Sequence, residues 1–318
     1  PSPRGLPMGL RRMGACGRGL TPLARAPDQT SRLGPPAPDI RAGIRRGRDV
    51  KMTARPCRAI PCKMKFLRRF RAPDPGPAVF APLAPEAAFC AVGDIHGRAD
   101  LLDRLLEKLH EQAPPDAAFV CVGDYVDRGE DSARVLRDLQ ALSVAHPDHV
   151  TCLMGNHEEM LLGFLDRPEQ AGPGWLRHGG LQTLASFGLP APAGATPTPA
   201  AWEDLRNQLR AALGADLETW LRALPLQWRS GNVAVVHAGA DPALPLEAQT
   251  TRALLWGHRD FATTPRRDGQ WVLHGHTITD MPQVQAGRIA IDTGAYATGR
   301  LTAALVLPGM AEPRFITT

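Results

Sequence analysis

The sequence predicts an α/β fold in which two β-sheets pack as a sandwich flanked by helices, behind a disordered basic N-terminal tail. Three observations predict it. Short apolar runs alternate with amphipathic helical segments early in the body of the chain, and polar glycine-containing motifs close those runs. Four further apolar runs then follow with few helices between them.

The tail comes first. Residues 1–85 are rich in Arg, Pro and Gly and carry no sustained 3.6- or 2.0-residue period, so they cannot bury enough apolar surface to offset chain entropy. The net charge of +5 belongs to this segment: residues 1–72 hold 18 Lys and Arg against 3 acids, whereas residues 73–318 hold 19 against 29. The body is acidic, and nucleic-acid binding, which would rest on the charge of the tail alone, is not expected. Met64 is expected to be the native start. An organelle-targeting arm fits poorly, because it needs an amphipathic helix that the Pro and Gly density opposes. No run of about 18 apolar residues occurs, so no membrane partner is expected.

Residues 86–318 form the expected folded body. Ala87–Val92, Ala117–Val122 and His149–Met154 are strand-like runs rich in Val, Phe and Cys. Between the first two, Asp100–Gln112 places Leu101, Leu102, Leu105, Leu106 and Leu109 on one helical face; Val135, Leu136, Leu139 and Leu142 do the same before the third. This alternation implies parallel strands joined by right-handed crossovers, with their polar ends on one sheet edge. Residues 168–228 read as a helical insert, punctuated by Gly and Pro at 171–174 and a loop at 189–200. Val233–Val236, Trp271–Leu273, Ile289–Ile291 and Thr302–Leu307 then predict a second, antiparallel or mixed sheet packed on the first.

Cysteine usage bears on compartment. Cys90, Cys121 and Cys152 each sit inside an apolar run and read as small core hydrophobes. Cys16, Cys57 and Cys62 lie in the tail without a ligand pattern. With no secretory signal evident, a reducing, cytoplasmic compartment is expected.

The chemistry-bearing residues collect at strand ends. Gly93-Asp94-Ile95-His96-Gly97, Gly123-Asp124-Tyr125-Val126-Asp127-Arg128-Gly129 and Gly155-Asn156-His157-Glu158 each follow a strand and precede a helix. His237-Ala238-Gly239 and His274-Gly275-His276-Thr277 close two later runs. One Asp-x-His motif carries little weight; five such motifs at five strand ends carry much more.

These motifs resemble those of the metallophosphoesterase superfamily, and within it the serine/threonine phosphoprotein phosphatases of bacterial and phage type. The resemblance spans about residues 89–306 and includes the 175–180 stretch Trp-Leu-Arg-His-Gly-Gly, the 254–256 stretch Leu-Leu-Trp and the 291–295 stretch Ile-Asp-Thr-Gly-Ala. The sequence departs from the family pattern at His178, where Asn is usual, and in the offset of Arg259 after the Leu-Leu-Trp segment.

The resemblance implies two divalent cations, manganese first and iron or zinc as alternatives. Asp94 and His96 would hold one, Asn156, His237 and His276 the other, and Asp124 would bridge them; mixed carboxylate, amide and imidazole donors suit such intermediate metals better than calcium. Two cations about 3.5–4 Å apart clamp the attacking and leaving oxygens of an in-line displacement and bring water's pKa towards neutrality. His157, oriented by Asp127, would protonate the leaving alkoxide. Arg128 would grip two phosphate oxygens with its planar fork, and Arg259 is a second candidate clamp.

The expected function is metal-dependent phosphomonoester hydrolysis on a phosphoprotein, at phosphoserine or phosphothreonine. Small phosphoesters are the other substrate class, through symmetrical cleavage of dinucleoside tetraphosphates. A non-catalytic phosphate-binding module would be expected to lack a ligand or the acid, and none is missing. Trp175 and His178 are expected to shape a roof over the cleft, and Asp292, Thr293 and Tyr296 to fall near it.

Overall fold

The computed structural model describes residues 80–192 and 197–318. Ten strands form two five-stranded sheets within them. The first contains β1 (Phe89–Val92), β2 (Ala118–Cys121), β3 (Val150–Cys152), β9 (Thr302–Val306) and β10 (Arg314–Thr317), in the order β10-β9-β1-β2-β3. The second contains β4 (Gln227–Ser230), β5 (Val233–Val236), β6 (Trp271–His274), β7 (Gln283–Gln285) and β8 (Arg288–Ala290), in the order β4-β5-β6-β8-β7.

The expected crossovers are present. β1, β2 and β3 run parallel, joined by α1 (Ala99–Gln112) and α2 (Ser132–Ala145). The leucines assigned to the buried face of α1 are buried, and they pack with Cys90, Val92, Phe119 and Cys121 from one side of the sheet. The opposite side of those strands carries Phe89, Ala91, Val120 and Val122, which pack against Val233, Val235, Leu273 and Ile289 of the second sheet. Beyond that sheet a third apolar layer joins Ala234, Val236 and Val272 to Leu246, Leu254 and Phe261. Strands buried on both faces read as continuous apolar runs rather than alternating ones, which is how they stand in the sequence.

Three details differ from the sequence reading. Thr302–Val306 joins the first sheet, antiparallel to β1 with Ala91 opposite Ala304, because its second neighbour is the C-terminal β10. Three strands escaped notice: β4, β7 and β10 are short and carry Gln, Arg, Ser or Thr at edge positions. Residues 80–85 are not part of a disordered tail. Phe80 packs on Trp271 at 5.8 Å, the Trp271 indole donates to the Ala81 carbonyl at 2.8 Å, and Leu83 is buried between the sheets. The rest of the expected tail, 1–79, lies outside the described residues.

A run of helices follows β3. After α3 (Asn156–Asp166) come α4 (Pro168–Trp175), a turn kinked at Gly179 (Leu176–Gly180), α5 (Leu181–Ser186), α6 (Pro199–Leu213) and α7 (Ala215–Arg222). Pro199 occupies the first turn of α6 and Thr198 caps it, accepting from the Ala201 amide at 3.2 Å. Short α8 (Thr251–Trp256) and α9 (Ala295–Thr298) complete the helices of this size. Among the described residues, no helix is long and apolar enough to cross a membrane. Cys90, Cys121 and Cys152 are free and buried.

Candidate metal centre

Parallel strands point their carboxyl ends the same way, so the loops after β1, β2 and β3 converge with those after β5, β6 and β8. All five motifs singled out in the sequence meet there. Asp124 stands at the middle: Oδ2 lies 3.5 Å from Nε2 of His96, and Oδ1 lies 3.4 Å from Nε2 of His237. Asn156 Oδ1 lies 2.8 Å from His237 Nε2 and 2.9 Å from His276 Nδ1. Two triplets of donor atoms each gather within 4.8 Å, one from His96, Asp124 and His157, the other from Asp124, His237 and His276. Asp94 stands slightly back, its oxygens accepting from the His276 amide at 3.0 and 3.2 Å.

The imidazoles are oriented from behind. Nδ1 of His96 meets the Val126 carbonyl at 2.7 Å, and Nδ1 of His237 meets the Val122 carbonyl at 3.1 Å. A carbonyl can only accept, so those nitrogens carry the protons and each Nε2 turns a lone pair towards Asp124. Burial holds His96 at about 3 and His237 at about 4, which keeps both neutral. Burial also lifts Asp94 well above the usual carboxylate range, reinforced by the carboxylates of Asp292 and Asp124. Buried acids crowded together with inward-facing imidazole lone pairs form a donor set short of positive charge, and divalent cations fit it.

Backbone geometry follows the chemistry. Among the described residues, six non-glycine positions have positive φ, and five are in the site: His96 (45°), Asp124 (56°), Asp127 (71°), Arg128 (71°) and His276 (63°). Such conformations cost of order 1–3 kcal/mol each and persist where surroundings over-determine them. Glycine clears space beside the carboxylates: a Cβ on Gly275 would stand 1.9 Å from Asp94 Oδ1, and one on Gly155 2.3 Å from Asp124 Oδ1.

On the outer side, His157 Nδ1 meets Asp127 Oδ2 at 2.7 Å, which leaves Nε2 facing the cluster, 3.9 Å from Asp124 Oδ2. Burial opposes charge on His157, but Asp124 and Asp127 outweigh it and raise its pKa above the ordinary value. The Arg128 guanidinium lies 3.1 Å from Nε2 of both His96 and His157 and stacks on the Tyr296 ring at 4.7 Å. Tyr296 and Trp256, each more than a third exposed, flank the opening, and the Trp256 indole donates to Glu159 at 2.6 Å.

One candidate does not join. The side chain of Arg259 is 88% exposed, and its ion-pair partner is Asp260 at 3.5 Å, so it is not a clamp at this centre. It lies just beyond the Gly257 turn that ends α8, where the chain faces solvent. His178 likewise turns outwards, exposed, with Nδ1 bonded to the Gly174 carbonyl at 2.8 Å.

Other residues matter more than their sequence signal suggested. Fully buried Glu158 accepts from the Asp124 and Gly155 amides at Oε2, at 2.8 and 3.0 Å, and from the Tyr125 and Val126 amides at Oε1, at 2.8 and 3.3 Å. Its position three residues into α3 is a capping signature that could have announced this role. Trp175 and Thr183 both bond the Asp127 carboxylate. Asp292 is buried beside Asp94 and accepts from the Gly294 amide at 2.8 Å.

Residues 87–280 match the family model of the calcineurin-like phosphoesterases. The chain belongs to that family. Membership of this metallophosphoesterase family carries metal-dependent phosphoester hydrolysis with it. A crystal structure described as a candidate diadenosine tetraphosphatase shares 24% identity and a TM-score of 0.51, covering 75% of this chain and 98% of its own. At that identity the likeness speaks to the metallophosphoesterase fold. A protein serine/threonine phosphatase from Saccharomyces cerevisiae aligns at 18% identity and TM-score 0.47, covering 74% of this chain and 79% of its own. A cold-active protein-tyrosine phosphatase of a psychrophilic Shewanella aligns at 19% and 0.48, covering 74% and 83%. A search of curated proteins finds no match.

Proposed function

We propose that this metallophosphoesterase hydrolyses phosphomonoesters, with phosphoserine or phosphothreonine in proteins as its substrate class. The observation that carries the reading is the Asp127–His157 pair at 2.7 Å, with Arg128 beside it, on the open side of the Asp124-centred cluster. Divalent cations held by Asp94, His96, Asp124, Asn156, His237 and His276, with manganese the first candidate, would neutralise phosphoryl oxygens and bring water's pKa towards neutrality.

The chain's own groups account for the rest. Arg128 presents two guanidinium nitrogens in one plane, a fork that matches two oxygens of a phosphate. Its stacking on Tyr296 limits the fork's rotation. Asp127 holds the Nδ1 proton of His157 and favours the imidazolium, in which Nε2 carries the second proton, the one given to the departing serine or threonine oxygen. Tyr296 and Trp256, partly exposed, lie against His96 and His276, where they would meet a phosphorylated side chain presented from a protein surface. The 175–180 stretch and the Asp-Thr-Gly-Ala ending favour the phosphoprotein phosphatases over the dinucleoside tetraphosphate hydrolases.

One comparison tests this reading: metal-stripped protein reconstituted with manganese, offered a phosphoserine peptide, a dinucleoside tetraphosphate and p-nitrophenyl phosphate side by side. The peptide should give the highest kcat/KM, and a chelator should abolish turnover. Preference for the dinucleotide would move the chain to the other substrate class. Full activity after metal removal would defeat the mechanism.

A further inference from the structure

The helical insert reaches the proton donor through two side chains. Asp127 is fully buried and its carboxylate meets three donors: His157 Nδ1 on Oδ2 at 2.7 Å, Thr183 Oγ1 on Oδ1 at 2.6 Å, and Trp175 Nε1 shared between both oxygens at 3.0 Å each. Two of the three come from the insert. We propose that Trp175 and Thr183 are positioning residues for the Asp127–His157 pair, so that the insert sets the geometry of proton transfer. The inference rests on the reading of His157 as the acid.

A carboxylate with one partner can rotate about its last bond; donors on both oxygens fix its plane, and with it the imidazole that leans on it. Thr183 acts on the backbone as well. Its Oγ1 accepts from the Asp127 amide at 2.9 Å while donating to the carboxylate, and Ser132 Oγ stands 3.1 Å from the same amide. These contacts hold Asp127 at a φ of 71°, a region that non-glycine residues occupy uncommonly.

The kinked turn between the two residues is shaped to the same end. The Trp175 ring is buried and stacked on Phe164 at 4.9 Å, and Gly180 makes room for it, since a Cβ there would stand 2.6 Å from the indole. Gly179, at φ 114°, accepts from the Arg128 amide at 3.3 Å, and a Cβ there would lie 2.6 Å from that nitrogen. One turn therefore abuts both the residue behind the acid and the phosphate fork.

Three substitutions separate positioning from packing. Thr183→Val keeps the shape and removes the hydroxyl, Thr183→Ser keeps the hydroxyl, and Trp175→Phe keeps a ring on Phe164 without the N–H. With manganese, Thr183→Val and Trp175→Phe should lower kcat on an alkyl phosphate by about 10- to 100-fold, within the roughly 10²–10⁴ that a general acid contributes, with KM little changed. On p-nitrophenyl phosphate, whose leaving group departs unprotonated, the loss should be markedly smaller. Thr183→Ser should restore most of the alkyl rate.

A second readout needs neither metal nor turnover. In metal-free protein, the downfield proton resonance of His157 Nδ1–H should shift or vanish in Thr183→Val and Trp175→Phe and return in Thr183→Ser. Equal losses on both esters with an unmoved resonance would overturn the proposal. So would a full Thr183→Val penalty persisting in an Asp127→Asn background. If wild-type protein turned over neither ester, the hydrolase reading itself would fall, and the resonance would still decide the positioning claim.

Discussion

Gly275→Ala should disable the metal centre while sparing the fold. Gly275 does not adopt positive φ, so alanine brings no backbone strain of its own, and the effect reduces to where the new methyl goes. It would stand 1.9 Å from Asp94 Oδ1 and 2.8 Å from Val122 Cγ2, the first about 1.5 Å inside the 3.4 Å at which ordinary contact begins. Asp94 is buried and held by the His276 amide, so the carboxylate must swing off that donor to make room. Overpacking of this kind costs about 1–3 kcal/mol, which for a domain of this size lowers the melting temperature by several degrees. Metal binding should suffer more. Disturbing a group that only supports ligands costs about 10- to 100-fold in affinity, and Asp94 is itself a proposed ligand, so a loss of at least about 100-fold is expected. Melting curves with and without manganese make that measurable. At a concentration 100 times the wild-type Kd, bound metal stabilises by about 2.7 kcal/mol; a 100-fold weaker site gains only about 0.4 kcal/mol. Calorimetric titration of stripped protein gives the affinity directly. Wild-type affinity and wild-type melting in Gly275→Ala would show that Asp94 takes no part in holding metal.

His157→Asn should retain bound metal and lose about 10²–10⁴-fold in kcat on an alkyl phosphate, with a much smaller loss on p-nitrophenyl phosphate; loss of metal instead would make His157 a ligand. Glu158→Gln keeps one acceptor oxygen but turns an NH₂ towards backbone amides that need acceptors, so urea denaturation should show a destabilisation of about 1–3 kcal/mol or more. Arg259→Ala should leave kcat/KM on a phosphopeptide unchanged, since its side chain faces solvent, and a large loss would return it to the site. Gly163→Ala, inside α3 with only Ala171 Cβ nearby at 3.7 Å, should stabilise by about 0.5–1 kcal/mol and raise the melting temperature, in contrast to Gly275→Ala.

Much of the fold was legible because its strands are buried on both faces and its crossover helices are amphipathic. Phe89–Val92 and Val233–Val236 announce themselves as apolar runs, and the leucine stripe of α1 fixes which face it buries. Edge strands carry no such signal. Gln283–Gln285 and Arg314–Thr317 each pair with one neighbour, and their exposed positions tolerate polar residues, so these two segments themselves read as loop. Sheet membership is not a local property either, and Thr302–Val306 reads the same in either sheet. The candidate site was legible where residue type dictates chemistry, as with Asp124 or His237. Trp175 and Thr183 were harder to see, because an indole and a hydroxyl have many uses and only the folded chain shows which carboxylate they face. Arg259 was over-read for the converse reason: an arginine near a site in sequence is often outside it in space.

The five positive-φ residues tie these observations together. Each is held by a partner on its own amide: His96 by the Asp124 carbonyl at 2.8 Å, Asp124 by Glu158 at 2.8 Å, and Asp127 by Thr183 at 2.9 Å. The amide of Arg128 is held by the Gly179 carbonyl at 3.3 Å and that of His276 by Asp94 at 3.0 Å. At about 1–3 kcal/mol each, five such conformations would consume a large share of the roughly 5–15 kcal/mol that separates a folded domain from its unfolded chain, unless these bonds offset it. The strain is offset from three directions: from within the site, from α3, and from the helical insert. An insert that merely covered the cleft would have no reason to supply two of those five restraints, through Thr183 and Gly179. The geometry of the site is therefore a joint product of the two sheets and the insert, since Thr183 and Gly179 hold the amides of Asp127 and Arg128.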